Sequence, residues 1–372
     1  MTNKNIVSKS VIALLVLFLS FGFVLNAHAS EENLIKQNKE LKEKEAEQES
    51  MDVGKLIIHH VSDGYEFHIF SVGKYHLTVP LPVILYDKGK WISFWSSEFH
   101  HHHGFYKGYY IAEDGMNAGK IVRKGTDGKE TLPKYDLSIT KTVFTLWVNS
   151  IILLIIVFIT ARSFKKRKGK APKGVQSLME PLIIFIRDEV ALSSIGEKHY
   201  LKYTPYLLTL FFFILLNNLM GIVPFFPWGV GVDGNIGITA VMAVFTFIIT
   251  TVSGNKHYWK DIFNTPGVPW WLKFPIPLMP IVEVMGMFTK PIVLAIRLFA
   301  NMIAGHAVVL GFVALIFIFG KIGVGVGYGV SVVSVLFSVF LDILEVLISF
   351  IQAYVFVILS ALYFGMAVEE SH

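Results

Sequence analysis

Four ionisable side chains, Glu283, Lys290, Arg297 and His306, lie in a stretch otherwise apolar enough to sit in a bilayer. An Arg at the centre of a membrane helix costs about 2.5–3.5 kcal/mol on insertion scales, so such groups mark function rather than filler. Glu283, Lys290 and Arg297 recur every seven residues and share one helical face, with Asn301 one turn beyond Arg297. His306 is nine residues past Arg297, which turns it to the opposite side of the same helix. The last apolar stretch carries Asp342, Glu345 and Gln352, and Glu345, Ser349 and Gln352 make a single polar stripe at i, i+4 and i+7. If the two stretches pair, that stripe can meet His306. A histidine next to a carboxylate can relay protons, because imidazole titrates near neutrality and the acid tunes it. The same pair also fits a plain buried hydrogen bond. Arg297 differs in kind, since its guanidinium does not deprotonate and so cannot pass a proton on. It can hold a permanent charge that makes a carboxylate release its proton and repels cations leaking past. An internal ion pair with Glu345 or Asp342 is the alternative use of that charge.

These residues need membrane elements to hold them, and the composition supplies them. Of 372 residues, 53% are hydrophobic and only 16% charged, with a mean hydropathy of +0.55. Soluble domains carry about 25% charged residues, so the composition argues against a water-soluble globular enzyme. The absence of cysteine removes disulfides, thiolate metal sites and cysteine nucleophiles. Apolar runs mark spans at Val143–Ala161, about Tyr203 to Val223, and Ile236–Ser253. The first ends in Arg162, Lys165, Lys166, Arg167, Lys168, Lys170 and Lys173, the positive-inside signal for a cytoplasmic end. That anchoring role accounts for the basic patch, and nucleic acid is not needed to explain the net charge of +5. Val175–Ala191 has the 3–4 spacing of an amphipathic interfacial helix. Two final apolar stretches, about Pro277 to Phe319 and Val326 to Val368, would each measure roughly 65 Å as helices, against a hydrocarbon core of about 30 Å. Either they break, near Pro291, or they lie steeply tilted as a hairpin joined at Gly320–Gly329 on the outer side.

The N-terminus has the pattern of a secretory signal peptide over residues 1–29: Lys4 and Lys9, an apolar core from Val11 to Leu25, then Ala27-His28-Ala29 before Ser30. A retained anchor helix is the alternative, and either delivers residues 30–140 outside the cytoplasm. Residues 31–50, with seven Glu and four Lys, read as a charged stalk. From Lys55 to about Thr140 short strand-like runs alternate with turn signals: Leu56–Val61, Tyr65–Phe70, Tyr75–Tyr86, a Lys88-Gly89 turn and Trp91–Trp95. The run His100–His103 reads as a solvated loop, because consecutive imidazoles point apart and do not converge on one ion; no metal site is assigned.

The string from Ile296 through Arg297, Asn301 and Gly305 to His306 resembles the hallmark segment of subunit a of bacterial F-type ATP synthases. Asn217-Asn218-Leu219-Met220-Gly221-Ile222-Val223-Pro224, Glu283 with Lys290-Pro291, and Ile351-Gln352-Ala353-Tyr354-Val355-Phe356 resemble further motifs of that family in the same order. The likeness covers roughly residues 140–368. It implies two steeply tilted helices facing a ring of c subunits, with offset aqueous half-channels separated by an essential arginine, matched by Arg297. Many members have an acid nine positions after that arginine and a histidine seven before the family glutamine. Here the types are exchanged, with His306 and Glu345 in those places and Gln352 as the glutamine. The resemblance says nothing about residues 31–140.

The expected fold is therefore an all-α polytopic membrane protein of about five membrane helices. The last two form a long steeply tilted hairpin; an amphipathic interfacial helix and a small β-rich exported N-terminal segment complete the chain. Residues 141–372 form the membrane domain. The expected function is the stator proton-channel subunit, with Arg297, His306, Glu345, Gln352 and Asn301 on the proton path and Glu283, Lys290, Asn217, Asn218 and Asp342 as supporting polar groups. It needs no cofactor and no metal. Its expected partners are the c-subunit ring, the b-subunit peripheral stalk, the rest of the ATP synthase complex and the lipid bilayer of the bacterial inner membrane, with the C-terminus cytoplasmic. No Gly-x-x-x-x-Gly-Lys-[Ser/Thr] phosphate loop is present, so ATP chemistry belongs to partners. A self-contained ion-coupled transporter is the rival reading, but the internal repeat it calls for is not evident.

Overall fold

The computed structural model describes residues 63–369, apart from 73–74, 102–103, 113–114, 116, 125–129, 224–225 and 265–277. The expected signal peptide, the charged stalk and the Leu56–Val61 strand lie outside these residues. The strand-like texture that follows builds three small antiparallel sheets. β1 (Glu66–Val72) pairs with β2 (Tyr75–Pro80); β4 (Lys90–Trp95) and β8 (Tyr135–Asp136) flank β3 (Pro82–Asp87); β5 (Tyr109–Ile111), β6 (Ile121–Lys124) and β7 (Glu130–Thr131) form the third. The apolar run Tyr75–Tyr86 is two strands rather than one, divided at Leu81, because β2 and β3 pair with different neighbours. Lys88 and Gly89, at φ 49° and 77°, make the two-residue turn between β3 and β4. The His100–His103 run begins inside a short helix, α1 (Ser97–His101), and not in a loop.

β3 alternates as a half-buried strand should: Val83 and Leu85 are fully buried beside Phe94, Phe99 and Ile121. The same alternation turns Asp87 inward, where Tyr109 Oη and Arg123 Nη1 each donate to its Oδ2 at 2.8 Å. Burial, and the bond to Asp87, push the Tyr109 phenol up to about 12. The strand-rich segment is fastened to the first membrane helix, α2 (Lys141–Lys166), without a linker. Thr140 Oγ1 accepts from Val143 N, Asp63 Oδ1 accepts from Thr142 N at 3.1 Å, and Lys141 N donates to Gly64 O at 2.8 Å. These acceptors satisfy amides that a helix start leaves unpaired. Phe67 adds edge contacts to Phe144 and Phe226 at 5.7 and 5.0 Å.

Among the described residues, five helices are long and apolar enough to cross a membrane: α2, α5 (Tyr200–Ile222), α6 (Ile236–Ser253), α8 (Leu278–Ile322) and α9 (Val324–Val368). Between α2 and α5 the amphipathic segment is helical throughout. α3 (Val175–Phe185) passes into a π-helical stretch at Ile186–Leu192 and ends in α4 (Ser193–Ile195). Its apolar face, Met179, Ile186, Val190 and Ile195, joins the core that Leu207, Phe211 and Ile214 of α5 share with Phe356 and Phe364 of α9 and Leu294 and Leu298 of α8. A short α7 (Lys256–Phe263) follows α6.

α8 does not break at Pro291; the helix runs on through 45 residues, about 68 Å at 1.5 Å per residue. Proline only removes the amide that would reach the Met287 carbonyl, a loss that membrane helices tolerate when neighbours compensate. The expected glycine turn also differs: of Gly320–Gly329, only Gly323 is outside a helix. Gly327 serves packing instead, since a Cβ on it would stand 2.9 Å from the Gly320 Cα. Small residues at crossings let membrane helices approach closely where no hydrophobic drive separates helix from lipid.

Gly365 shows the same device at the other end of α9, where an added Cβ would overlap the backbone carbonyl of Ser194. A backbone group cannot rotate aside. Gly365→Ala is expected to cost about 1–3 kcal/mol and to lower the melting temperature of the detergent-solubilised protein. Gly311→Ala, with nothing within 4 Å of its Cβ, is the control and should leave it unchanged or slightly higher.

Candidate functional site

α8 and α9 run antiparallel, and a ladder of contacts defines their register. Gly320 meets Gly327, Phe312 stacks on Phe337 at 5.4 Å, Gly305 meets the Glu345 carboxylate, and the Lys290 ammonium lies 5.5 Å from the Tyr363 ring centre. That register sets Gln352 at the height of Arg297, Ser349 at that of Asn301, and Asp342 beside the turn after His306.

α8 buries Leu294, Leu298 and Met302 against the rest of the chain. Arg297 is on the exposed side, next to the exposed stripe Ile296, Ala300, Ala304 and Val308. His306 is half-buried and turned the other way, toward the segment between α5 and α6. There Gly231 and Gly221 make room: a Cβ on Gly231 would be 3.1 Å from His306 Nε2, and one on Gly221 would overlap the Met302 methyl group. Glu345 is buried, and its Oε1 has no hydrogen-bond partner among the described residues. Its carboxylate fills the space that a side chain on Gly305 would take, within one residue of His306. Ser349 is occupied in a 2.7 Å bond back to the Glu345 carbonyl. Gln352, Asn301 and Asp342 are half-buried.

Two clefts open along α8. One, of about 310 Å³, is lined by Thr246, Thr250, Tyr258, Met287, Lys290, Pro291 and Tyr363, among others. Burial, then the negative charge of Glu283, push the Tyr258 phenol above its usual range, so Glu283 stands near this cleft. The other, of about 300 Å³, is lined by Gly229 to Gly231, Gly234, Met302, Ile303 and His306. From Pro291 to Met302 is about 17 Å along the helix, and Arg297 lies between them, its charge reaching Tyr363 of the first cleft.

Asn217 and Asn218 are buried on α5 near the second cleft. Asn217 Oδ1 accepts from Asn149 Nδ2 at 2.9 Å, and Asn149 Oδ1 accepts from Trp228 Nε1 at 3.1 Å. Such interhelical bonds are worth about 0.6 kcal/mol on average and tie α2 to α5 in a fixed rotation. Asn149, Trp228 and Asp233 went unremarked in the sequence reading. Asp233 had a signal, being the one charged side chain between Lys202 and Lys256. Among the described residues no group of three or more His, Cys, Asp or Glu could hold a metal ion.

Five apolar helices, with a cleft on either side of Arg297 along α8, define a polytopic membrane protein. Comparison with known proteins names the family. The family described as the ATP synthase A chain matches residues 143–365, and one described as a domain of unknown function matches residues 56–142. The chain is 42% identical over 246 residues to ATP synthase subunit a of Chloroherpeton thalassium, an alignment covering 64% of this chain and 69% of that one. It is 44% identical over 258 residues to that of Chlorobium phaeobacteroides strain BS1, covering 66% and 72%. For ATP synthase subunit a of Myxococcus xanthus the identity is 39% over 268 residues, covering 69% and 83%. The chain belongs to the ATP synthase A chain family.

Proposed function

We propose that this protein is the stator half of the proton path in a bacterial F-type ATP synthase, working against a rotating ring of c subunits. The observation that carries the reading is the pair of clefts offset along α8, with Arg297 between them. Protons reach the ring from the outer side through the His306 and Glu345 cleft and protonate a ring carboxylate. After nearly a full turn that carboxylate meets Arg297, whose fixed charge favours its ionised form. The proton then leaves by the cleft at Lys290, Tyr258 and Tyr363. Gln352 faces Arg297 across the hairpin, Asn301 and Asp342 stand beside the relay, and Asn217 and Asn218 hold the wall of the outer cleft. Each charge crossing 100 mV releases about 2.3 kcal/mol, which the ring converts into torque. Nucleotide chemistry is done by partner subunits, and the peripheral b stalk holds this one still.

The bilayer frame follows from charge. Lys165, Lys166 and the five further cations support an inner end for α2, a periplasmic β-rich segment and a cytoplasmic C-terminus. Residues 1–29 are the signal peptide and 30–140 the exported extension of a multi-pass inner-membrane protein. Helices of about 68 Å fit a core of about 30 Å only when steeply tilted, and tilt gives both clefts access to one ring. Within the chain, only 11% of the most apolar window of α8 and of α9 is buried, against 44% for α5. The hairpin's outer surface is thus left for lipid and ring.

The chain has no cysteine, so any introduced thiol is alone in it. Ala300→Cys, on the exposed stripe beside Arg297, is expected to form a disulfide with a cysteine on the outer face of a c-ring helix in the assembled enzyme. Ala361→Cys, fully buried, should not. Absence of ring cross-links from Ala300→Cys and Ala304→Cys in assembled complexes would remove the ring from this face.

A further inference from the structure

Asp233 sits in the 3₁₀ turn Val232–Gly234 that leads into α6, and it is fully buried. Neither carboxylate oxygen has a hydrogen-bond partner among the described residues. Buried carboxylates almost always have one, and leaving one ionised without a partner costs several kcal/mol. The ordinary structural use of an acid at this place is to cap the next helix. That use is already filled: Asn235 Oδ1 accepts from Gly237 N at 2.9 Å and caps α6 itself.

The surroundings supply a different use. The turn packs against α8, α5, α6 and α2. Gly231 and Gly234, on either side of it, line the outer cleft together with His306. A Cβ on Gly234 would rest 3.8 Å from both Met302 and Ile303 of α8. Of the residues that line that cleft, His306 of α8 is the one that ionises. At the same end α2 also carries Lys141, one turn before Thr145 and facing Asp63, while Asn217 and Asn218 of α5 and Asn235 of α6 do not ionise. Glu345 of α9 stands one residue beyond His306.

We infer that Asp233 is a proton-carrying residue of the outer path, the acid through which protons reach His306 and then Glu345. The inference rests on the proton-path reading of this site. The step is a proton transfer only. The O–H bond of the neutral Asp233 carboxyl breaks as an N–H bond forms on the His306 imidazole, by way of the cleft. The carboxylate left behind takes a proton from the periplasmic side, and the imidazolium gives its own to Glu345. Burial raises the Asp233 carboxyl to about 8, so it is neutral at pH 7 and changes form in the range where imidazole also does.

The test is ATP synthesis by the reconstituted whole enzyme under an imposed gradient, with the periplasmic-side pH varied from 6 to 9. Asp233→Asn keeps the shape of the neutral acid but carries no exchangeable acidic proton. It is expected to lower the rate by about tenfold or more, the low end for a positioned proton-transfer group. Asp233→Glu should retain most of the rate. The unsubstituted enzyme should lose rate as the periplasmic pH rises through about 8, where Asp233 ionises, and Asp233→Asn should lack that limb. An unchanged rate and pH profile in Asp233→Asn would overturn the inference, as would equal losses in Asn and Glu variants with the profile unmoved. If Asp233→Asn fails to assemble, Asp233→Glu decides: a displaced alkaline limb supports the role, and an unmoved one refutes it. Glu345→Gln, measured alongside, separates the two levels. Activity lost in Glu345→Gln but intact in Asp233→Asn defeats this inference alone; activity intact in both defeats the path itself.

Discussion

Inverted membrane vesicles carrying Arg297→Ala are expected to lose ATP-driven acidification by at least about a hundredfold, with ATP hydrolysis by the soluble sector still present. The passive proton leak should rise in the same vesicles. Both follow from the position of Arg297, between two clefts whose lining residues on α8 are about 17 Å apart, and on the exposed side of that helix. A guanidinium keeps its charge at any working pH. On the proposed path it would force a passing ring carboxylate to ionise and block a direct route from cleft to cleft. Arg297→Lys keeps a cation in name, but an ammonium loses its proton readily when desolvated and lacks the planar fork. It should recover little of the pumping. Full acidification by an assembled Arg297→Ala enzyme would sink the separator role and return the transporter reading to consideration.

Gly305→Ala is expected to have the second largest effect, and for a reason that no polar-residue inventory contains. The added methyl group would take the place of the Glu345 carboxylate, the flexible end of a side chain and not a backbone wall. The helices can stay where they are, so the enzyme should assemble and melt nearly as before. The carboxylate must move by an ångström or more, and misplacement on that scale costs a proton-transfer site on the order of tenfold to a hundredfold. ATP-driven pumping should fall by that amount. Shortening the acid by one methylene, Gly305→Ala with Glu345→Asp, should restore part of the loss, which a generally destabilised hairpin would not allow. Unimpaired pumping in Gly305→Ala would show that the position of the Glu345 carboxylate does not matter.

Much of the architecture was legible in one dimension because a bilayer constrains the chain so severely. Backbone groups in lipid must be satisfied within a helix, so each apolar run of sufficient length is a span. All five are helices at the expected places. The opposite facing of Arg297 and His306 followed from helix geometry alone: the first is exposed and the second lies against the α5–α6 segment. Local signals did less well where packing overrode them. A break near Pro291 is one of two readings of the sequence, and the helix runs through it; the expected turn at Gly320–Gly329 shrinks to Gly323 alone. The run Tyr75–Tyr86 read as one strand, though its halves pair with different neighbours.

By itself the sequence determined that this is a membrane protein of about five spans with ionisable groups at depth, and the order and helical face of those groups. Hydropathy and the 3.6-residue turn are properties of consecutive residues, so consecutive residues suffice to read them. Only the tertiary structure decided which groups share a space. The Glu345 carboxylate lies at Gly305, Lys290 lies over Tyr363, and Gly221 and Gly231 give way to Met302 and His306. Asp233 is enclosed beside the cleft that His306 lines. These are contacts between elements far apart in the chain. They depend on the register and rotation of whole helices, which close packing of small residues and a few interhelical bonds select and no local pattern records.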